Sequence, residues 1–451
     1  MISSRNKCTG RRPVHFFQRS TGFALGLLIA AAPLAATPAS AAPTAVAGMG
    51  LADFYNAHKD APLWFSPASG NAAQALLGLL NSSKADGLDP DRYGTAALEQ
   101  AVLEASKGKH KAILQADRML SQAFAAYVSD LKQVPDLGIV YVDAQLKPTV
   151  PSTRAILEQA AMAPSLETYV RTMMWMNPIY SELRQALVDH RYASDHEREL
   201  LELNLTRARG FPAGKGRFVM VNAAEQRLYM WEDRRPVDSM VVVVGKPKYP
   251  TPLMAAFIRF ASLNPYWYVP PDLATERIAP NVLKRGMKYL DDLGYEVMSD
   301  WTRDATLVDP KTVDWKGVAD GKVEVMIRQK PGPHNSMGRI KFMFPNQEGV
   351  YLHDNPEREL FTEASRLYSG GCVRLEDAWR LSRWLFGKEL TWEGAGTEEP
   401  VPLNPPVPVY ITYLTAMPTG SSIAFFDDVY GRDKARLASA QGSGMTESAS
   451  R

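Results

Sequence analysis

The sequence predicts an α+β chain: a helical first half, then a β-rich second half carrying an insertion. Three observations predict this. From Leu51 to about Arg209 the apolar residues recur every three or four positions, the period of amphipathic helices. At Phe211-Pro-Ala-Gly-Lys-Gly216 the period drops to two, the alternation of half-buried strands. Between about Asp272 and Asp320 that alternation lapses, so this stretch reads as inserted between strands. With 451 residues, 45% of them hydrophobic and 22% charged, the chain has a globular composition and room for two or three domains.

Residues 1–41 read as a secretory signal peptide. Arg5, Lys7, Arg11, Arg12 and Arg19 make a basic start, Gly22 to Ala36 an apolar core too short to span a bilayer comfortably, and Ala39-Ser-Ala41 a small-residue cleavage pattern. The alternative is an uncleaved anchor. Export places the mature chain in the periplasm, touching the membrane only through that leader. Residues 42–210 form the expected helical scaffold. "NAAQALLGLLNSSKADG" clusters its apolar residues and ends at Gly87. Asp117 to Lys132 aligns Met119, Leu120, Ala123, Tyr127, Val128 and Leu131 on one stripe. Pro135 to Pro151 is a proline-bounded irregular break, and Leu166 to Asp189 and His196 to Arg209 resume the helical character.

Residues 211–433 form the expected β-rich domain, with the insertion at about 272–320. Arg217 to Asn222, Gln226 to Trp231 and Asp238 to Gly245 read as neighbouring antiparallel strands. Further strands are expected at Lys322 to Gln329, Arg339 to Phe344, Val350 to His353, Val407 to Leu414 and Ser422 to Phe426. Helices are expected near Ile278 to Leu293, in "ERELFTEASRLY" and after Cys372. Residues 434–451 read as a disordered tail.

Removing the leader changes how charge and cysteine are read. The whole chain carries +2, but residues 1–41 hold five basic and no acidic side chains, leaving the mature chain at about −3. No basic excess remains to suggest nucleic-acid binding. The mature chain keeps one thiol, Cys372, in a compartment that favours disulfides. An unpaired exported cysteine is a buried small hydrophobe, an intermolecular linker or a nucleophile. No HExxH pair, thiolate cluster or G-x-S-x-G elbow is present, so neither metal, cofactor nor serine chemistry is expected.

In "SGGCVR", Gly370 and Gly371 permit a sharp turn that brings backbone N–H groups close to a substrate oxygen. A helix N-terminus just after Cys372, together with Arg374, would favour the thiolate. The matching base is His353, which ends a β-like run 19 positions upstream; His334 is the weaker rival.

"YLHD" followed by "SGGCVR" resembles the signature of bacterial cell-wall L,D-transpeptidases. "LYMWEDRRPVDSMVVVVGKPKYPTP", "NPYWYVPP", "KPGPHNSMGRIKFMFPN" and "PVPVYITYLTA" resemble their large multidomain periplasmic subfamily, and "FYNAHKDAPLW" and "ADGLDPDRY" its N-terminal region. Two departures stand out. Gly370 occupies a position where many members carry histidine, and the inserted peptidoglycan-binding repeat is missing.

The resemblance implies that Cys372 attacks a stem tetrapeptide with His353 as general base and acid. Backbone N–H groups at Gly371, Gly370 and Cys372 would hold the oxyanion, and the insertion would act as a lid. Arg374, Tyr351, Ser369 and Trp267 become substrate-binding candidates. For Arg374 the alternative is a salt bridge to Glu376 or Asp377, and for Trp267 core packing. The implied partners are a tetrapeptide donor and a diaminopimelate-bearing acceptor, joined by a 3→3 cross-link with release of D-Ala; carbapenems are the implied inhibitors. Two other readings stay open: a cysteine carboxypeptidase or endopeptidase that hydrolyses wall peptides, and a non-catalytic wall-binding protein.

Overall fold

The alternating segments beyond Arg217 close into a barrel-like sheet. The computed structural model describes residues 43–302, 304–391 and 398–438. The leader and the end of the tail lie outside the described residues.

The helical half contains α1 (Pro43–Ala57), α2 (Ala72–Asn81), α3 (Thr95–Ala105), α4 (His110–Lys132), α5 (Thr153–Ala161), α6 (Leu166–Arg171), α7 (Pro178–Val188) and α8 (Asp195–Ala208). Ser152, Ser165, Asn177 and Ser194 cap α5 to α8, each accepting a first-turn backbone N–H. The irregular break after α4 is not wholly loop. Its strand β1 (Val140–Tyr141) pairs in parallel with Met254 and Ala255 of the sheet. Two-residue strands are too short for alternation to show in sequence.

The principal sheet uses β2 (Arg217–Asn222), β3 (Arg227–Glu232), β4 (Arg235–Gly245), β5 (Met254–Leu263), β10 (Ile340–Met343), β11 (Leu352–His353), β12 (Leu367–Ser369), β13 (Val373–Leu375) and β14 (Glu399–Thr412). Its order is β1-β5-β10-β11-β13-β4-β3-β2-β14, and β14 also pairs with β5, which closes the ring. β12 attaches to β4. The alternation then has a clear meaning. Val219, Val221, Val242, Val244, Leu352, Val373 and Val409 point into the barrel core. Phe218, Met220, Trp231, Ala255 and Tyr410 point outward into the core that the scaffold helices share. The hairpin β15 (Ala416–Thr419) and β16 (Ser422–Phe425) follows.

The insertion is a small folded body rather than a β-free stretch. A four-stranded sheet, ordered β6 (Trp267–Tyr268), β9 (Met326–Gln329), β7 (Tyr295–Met298), β8 (Leu307–Val308), carries α9 (Pro271–Leu273), α10 (Ala279–Arg285), α11 (Lys288–Leu293) and α12 (Trp315–Ala319). It packs its own core around Ile278, Tyr289, Trp315 and Ile327. The expected limits of 272–320 miss the flanking strands β6 and β9.

Three other expectations are corrected. "ERELFTEASRLY" forms only the 3-10 turn Arg358–Thr362 and then β12, because its end is recruited to the β4 edge. The helix after Cys372 starts late: β13 intervenes, and α13 (Ala378–Phe386) begins with Asp377 as its N-cap. Residues 434–438, read as tail, are helical and continue from residue 432.

Candidate functional site

Cys372 stands in the turn between β12 and β13, and His353 ends the adjacent parallel strand β11. The register pairs Leu352 with Val373 and His353 with Arg374. Residues two apart on a strand share a face, so Tyr351, His353, Cys372 and Arg374 lie together on the face opposite the barrel core. His353 and Cys372 both line a cavity of about 350 Å³, together with Arg374, Ser369, Gly370 and the insertion residues Trp267, Leu273 and Arg277. His334 is exposed and not part of this lining.

The cysteine turn is tied by Ser369. Its hydroxyl donates to the Cys372 carbonyl (2.5 Å) and accepts the Gly371 N–H (3.1 Å). Ser369 is 2% exposed, so it braces the loop rather than presenting a free hydroxyl. Gly371 has φ +119°, a conformation that side-chain-bearing residues rarely adopt. Gly370 carries no such constraint. A Cβ there would sit 3.6 Å from Leu273 Cδ1, an ordinary contact, so the place where many relatives carry histidine has room for a side chain. The Gly371 N–H is engaged within the turn, whereas the Gly370 and Cys372 N–H groups have no acceptor among the described residues.

The electrostatics run against a resting thiolate. Burial pushes the Cys372 thiol pKa up, and the Tyr351 backbone N–H and the Arg374 charge only partly offset it. With α13 starting at Ala378, no helix terminus acts on the sulfur. The half-buried thiol donates weakly to the Gly349 carbonyl at 3.6 Å.

His353 is pushed down to about 3, first by burial, then by the nearby Arg374 and Lys341 charges. Its Nδ1 lies 2.6 Å from the Asp354 carbonyl oxygen. A carbonyl only accepts, so Nδ1 carries the proton and Nε2 is left as the basic nitrogen. Asp354 is itself held by the Arg339 N–H (2.9 Å) and by Arg358 Nη2 (2.7 Å). Gly338 approaches so closely that a Cβ there would come within 2.5 Å of the Asp354 carboxyl carbon.

Arg374 pairs with neither acid expected from sequence. Its Nη1 reaches Glu357 Oε2 at 2.6 Å and Asn355 Oδ1 at 3.3 Å. Trp267 packs in the core of the insertion, 6% exposed, and also lines the cavity. Tyr351 sits beside the sulfur, with Lys341 Nζ 5.9 Å from its ring centroid. Lys246, Arg277, Ser336 and Met337 also line the cavity and were not anticipated. Lys246 falls in the quoted "VGKPKYPTP", but nothing in one sequence signals that this loop meets the cysteine turn. Among the described residues no group of three or more His, Cys, Asp or Glu could hold a metal ion. No described helix is long and apolar enough to cross a membrane.

Residues 216–411 match the family model described as the L,D-transpeptidase catalytic domain, and residues 50–187 match a scaffold domain. A Haemophilus influenzae protein named "Putative L,D-transpeptidase" is 27% identical over 397 residues, 85% of this chain and 78% of that protein. Two solved structures match more distantly. An L,D-transpeptidase from Mycobacterium smegmatis is 13% identical over 44% of this chain and 58% of its own, with a TM-score of 0.21. An avibactam carbamoyl enzyme is 12% identical over 53% and 85%, also at 0.21. At that TM-score neither bears on the site.

Proposed function

This chain carries an L,D-transpeptidase catalytic domain behind a helical scaffold, and on that premise we propose that it cross-links peptidoglycan through a Cys372 thioester in the periplasm. The observation that carries the reading is that Cys372, in the turn before β13, and a neutral, Nδ1-anchored His353, at the end of the adjacent strand β11, line one cavity.

His353 Nε2 takes the Sγ proton as the sulfur attacks the carbonyl of diaminopimelate in a donor tetrapeptide. The oxyanion that forms meets the free N–H groups of Gly370 and Cys372. The imidazolium returns its proton to the leaving D-Ala amine, and the C–N bond breaks to give the thioester. The side-chain amine of a second stem's diaminopimelate then attacks the thioester. It loses a proton to His353 and expels the sulfur, which is reprotonated; the product is a 3→3 amide. The lid walls this chemistry from water, favouring aminolysis over hydrolysis.

The test is to incubate the mature protein with purified disaccharide-tetrapeptides and resolve the products by mass spectrometry. Cross-linked dimers with loss of D-Ala support transfer. Tripeptides alone would make the protein a hydrolase. No product, with no carbapenem adduct on Cys372, would leave only wall binding. Cys372→Ala is expected to abolish dimers and adduct together.

A further inference from the structure

The cavity beside Cys372 is unevenly charged. Three cations line it, Lys246, Arg277 and Arg374, against one carboxylate, Glu276. Arg374 is matched by Glu357 at 2.6 Å. Glu276 is matched from outside the cavity, by Lys248 Nζ and the Tyr249 hydroxyl, each at 2.6 Å. Lys246, half-buried, and Arg277, exposed, line the cavity without a salt bridge among the described residues, although the Lys246 charge also acts on Glu276.

Their positions are fixed by neighbours rather than by each other. The Lys246 backbone N–H donates to the Ser369 carbonyl at 3.0 Å, which joins its loop to the cysteine turn. Its side chain leans on the Tyr249 ring, Nζ 4.9 Å from the centroid. Arg277 belongs to the π-helical turn Ala274–Ile278 of the lid. Its neighbour Glu276 clasps Lys248 and Tyr249 on the loop that carries Lys246. One cation thus arrives from the catalytic sheet and one from the lid, and the Glu276 clasp holds them on the same cavity.

We propose that Lys246 and Arg277 form a carboxylate-reading pair for the donor stem peptide. This inference rests on the transpeptidase reading of the same site. A carboxylate bound between these two cations would be neutralised by both and would gain charge-assisted hydrogen bonds. A donor tetrapeptide has carboxylates on both sides of the scissile bond: the C-terminus of D-Ala and the side-chain carboxylate of diaminopimelate. The pair reads one of these and so aligns the carbonyl with Cys372.

The experiment measures the second-order rate of Cys372 acylation by intact mass. It uses the full mature chain and three donors: the disaccharide-tetrapeptide, its C-terminal amide, and its diaminopimelate side-chain amide. Wild type is compared with Lys246→Met, Arg277→Met and the double variant. Amidating the carboxylate that is read is expected to slow wild type roughly 10- to 100-fold. The double variant is expected to be slowed by a similar factor on the parent donor and to be indifferent to that amidation. The two amides tell the two sources apart.

Wild type indifferent to both amides, or a double variant that keeps the wild-type amidation penalty, overturns the proposal. Alkylation by neutral iodoacetamide controls for the thiol itself: an equal loss there would assign the effect to Cys372 reactivity and also overturn it. If wild type forms no adduct with any donor, the transpeptidase reading falls and takes this inference with it; an adduct with unchanged ratios sinks the inference alone.

Discussion

Burial drives His353 and Cys372 toward neutrality from opposite sides, so the resting pair is thiol and imidazole rather than thiolate and imidazolium. Acylation should therefore persist below the ordinary histidine range, with an acid limb nearer 3 than 6.5 in a pH–rate profile of carbapenem acylation. Stability carries the opposite cost. Because His353 is depressed in the folded state, unfolding takes up a proton. Its contribution is complete above about pH 6.5 and is lost as pH falls toward about 3. His353→Asn should cut acylation by roughly 10²- to 10⁴-fold. In urea titrations across that window it should also remove a slope of up to about 1.4 kcal/mol per pH unit. Ser369→Ala should cost about 1–2 kcal/mol and slow acylation, since it frees the Gly371 N–H and unties the turn. Gly371→Ala should cost about 1–3 kcal/mol, whereas Gly370→Ala should fold normally, a contrast that melting curves would report.

At the scale of elements, the site depends on short strands placed by their neighbours. β11 and β13 are two and three residues long, yet each lies between two partners in the sheet. The "ERELFTEASRLY" run has helical composition, but the last residues of β4, Val244 and Gly245, extend past its pairing with β3 and β13, and pairing with them outweighs a propensity of a few tenths of a kcal/mol per residue. The insertion is joined to the loop after β4 through Glu276, Lys248 and Tyr249, all near the surface. Glu276→Gln should leave the melting temperature within about 1–2 °C, since exposed pairs contribute little. If the insertion acts as the proposed lid, it should nonetheless raise the fraction of tripeptide relative to dimer in the muropeptide assay, because loosening it would admit water. An unchanged product ratio would show that this clasp does not govern water access.

The whole molecule is not two separable halves. Scaffold residues Phe124, Trp175 and Leu201 share one core with Phe218, Met220, Trp231 and Tyr410 from the outer face of the barrel. β1 from the scaffold extends the catalytic sheet, and Asp143 accepts the Phe257 N–H at 2.7 Å. The described residues from Thr44 onward accordingly form one compact unit. A fragment of residues 211–433 would expose that apolar outer face, and is expected to be insoluble or to melt well below the full mature chain. A soluble fragment with the parent melting temperature would contradict this. Within the scaffold, Asp86 is fully buried and held by Arg184 Nε, Tyr127 and Tyr180. Arg184→Ala leaves that carboxylate unmatched and should cost about 3–5 kcal/mol in chemical denaturation.

The change of period at Phe211–Gly216 is visible in sequence because helices and strands repeat at different intervals, a local property. So is the candidate nucleophile: one cysteine beyond the leader-like segment, behind two glycines and with a strand-end histidine upstream, narrows the choice before any folding. The protonation state of that pair was not legible. Arg374, Lys341 and the Asp354 carbonyl reach His353 across the sheet or through a turn, and burial is a property of the packed whole. The same holds for the Arg374–Glu357 pair, for the helix that starts too late to act on the sulfur, and for Lys246 and Arg277 on one cavity. Local repeats are written along the chain. Charge balance depends on contacts between distant segments, and those exist only once the barrel, scaffold and insertion have packed.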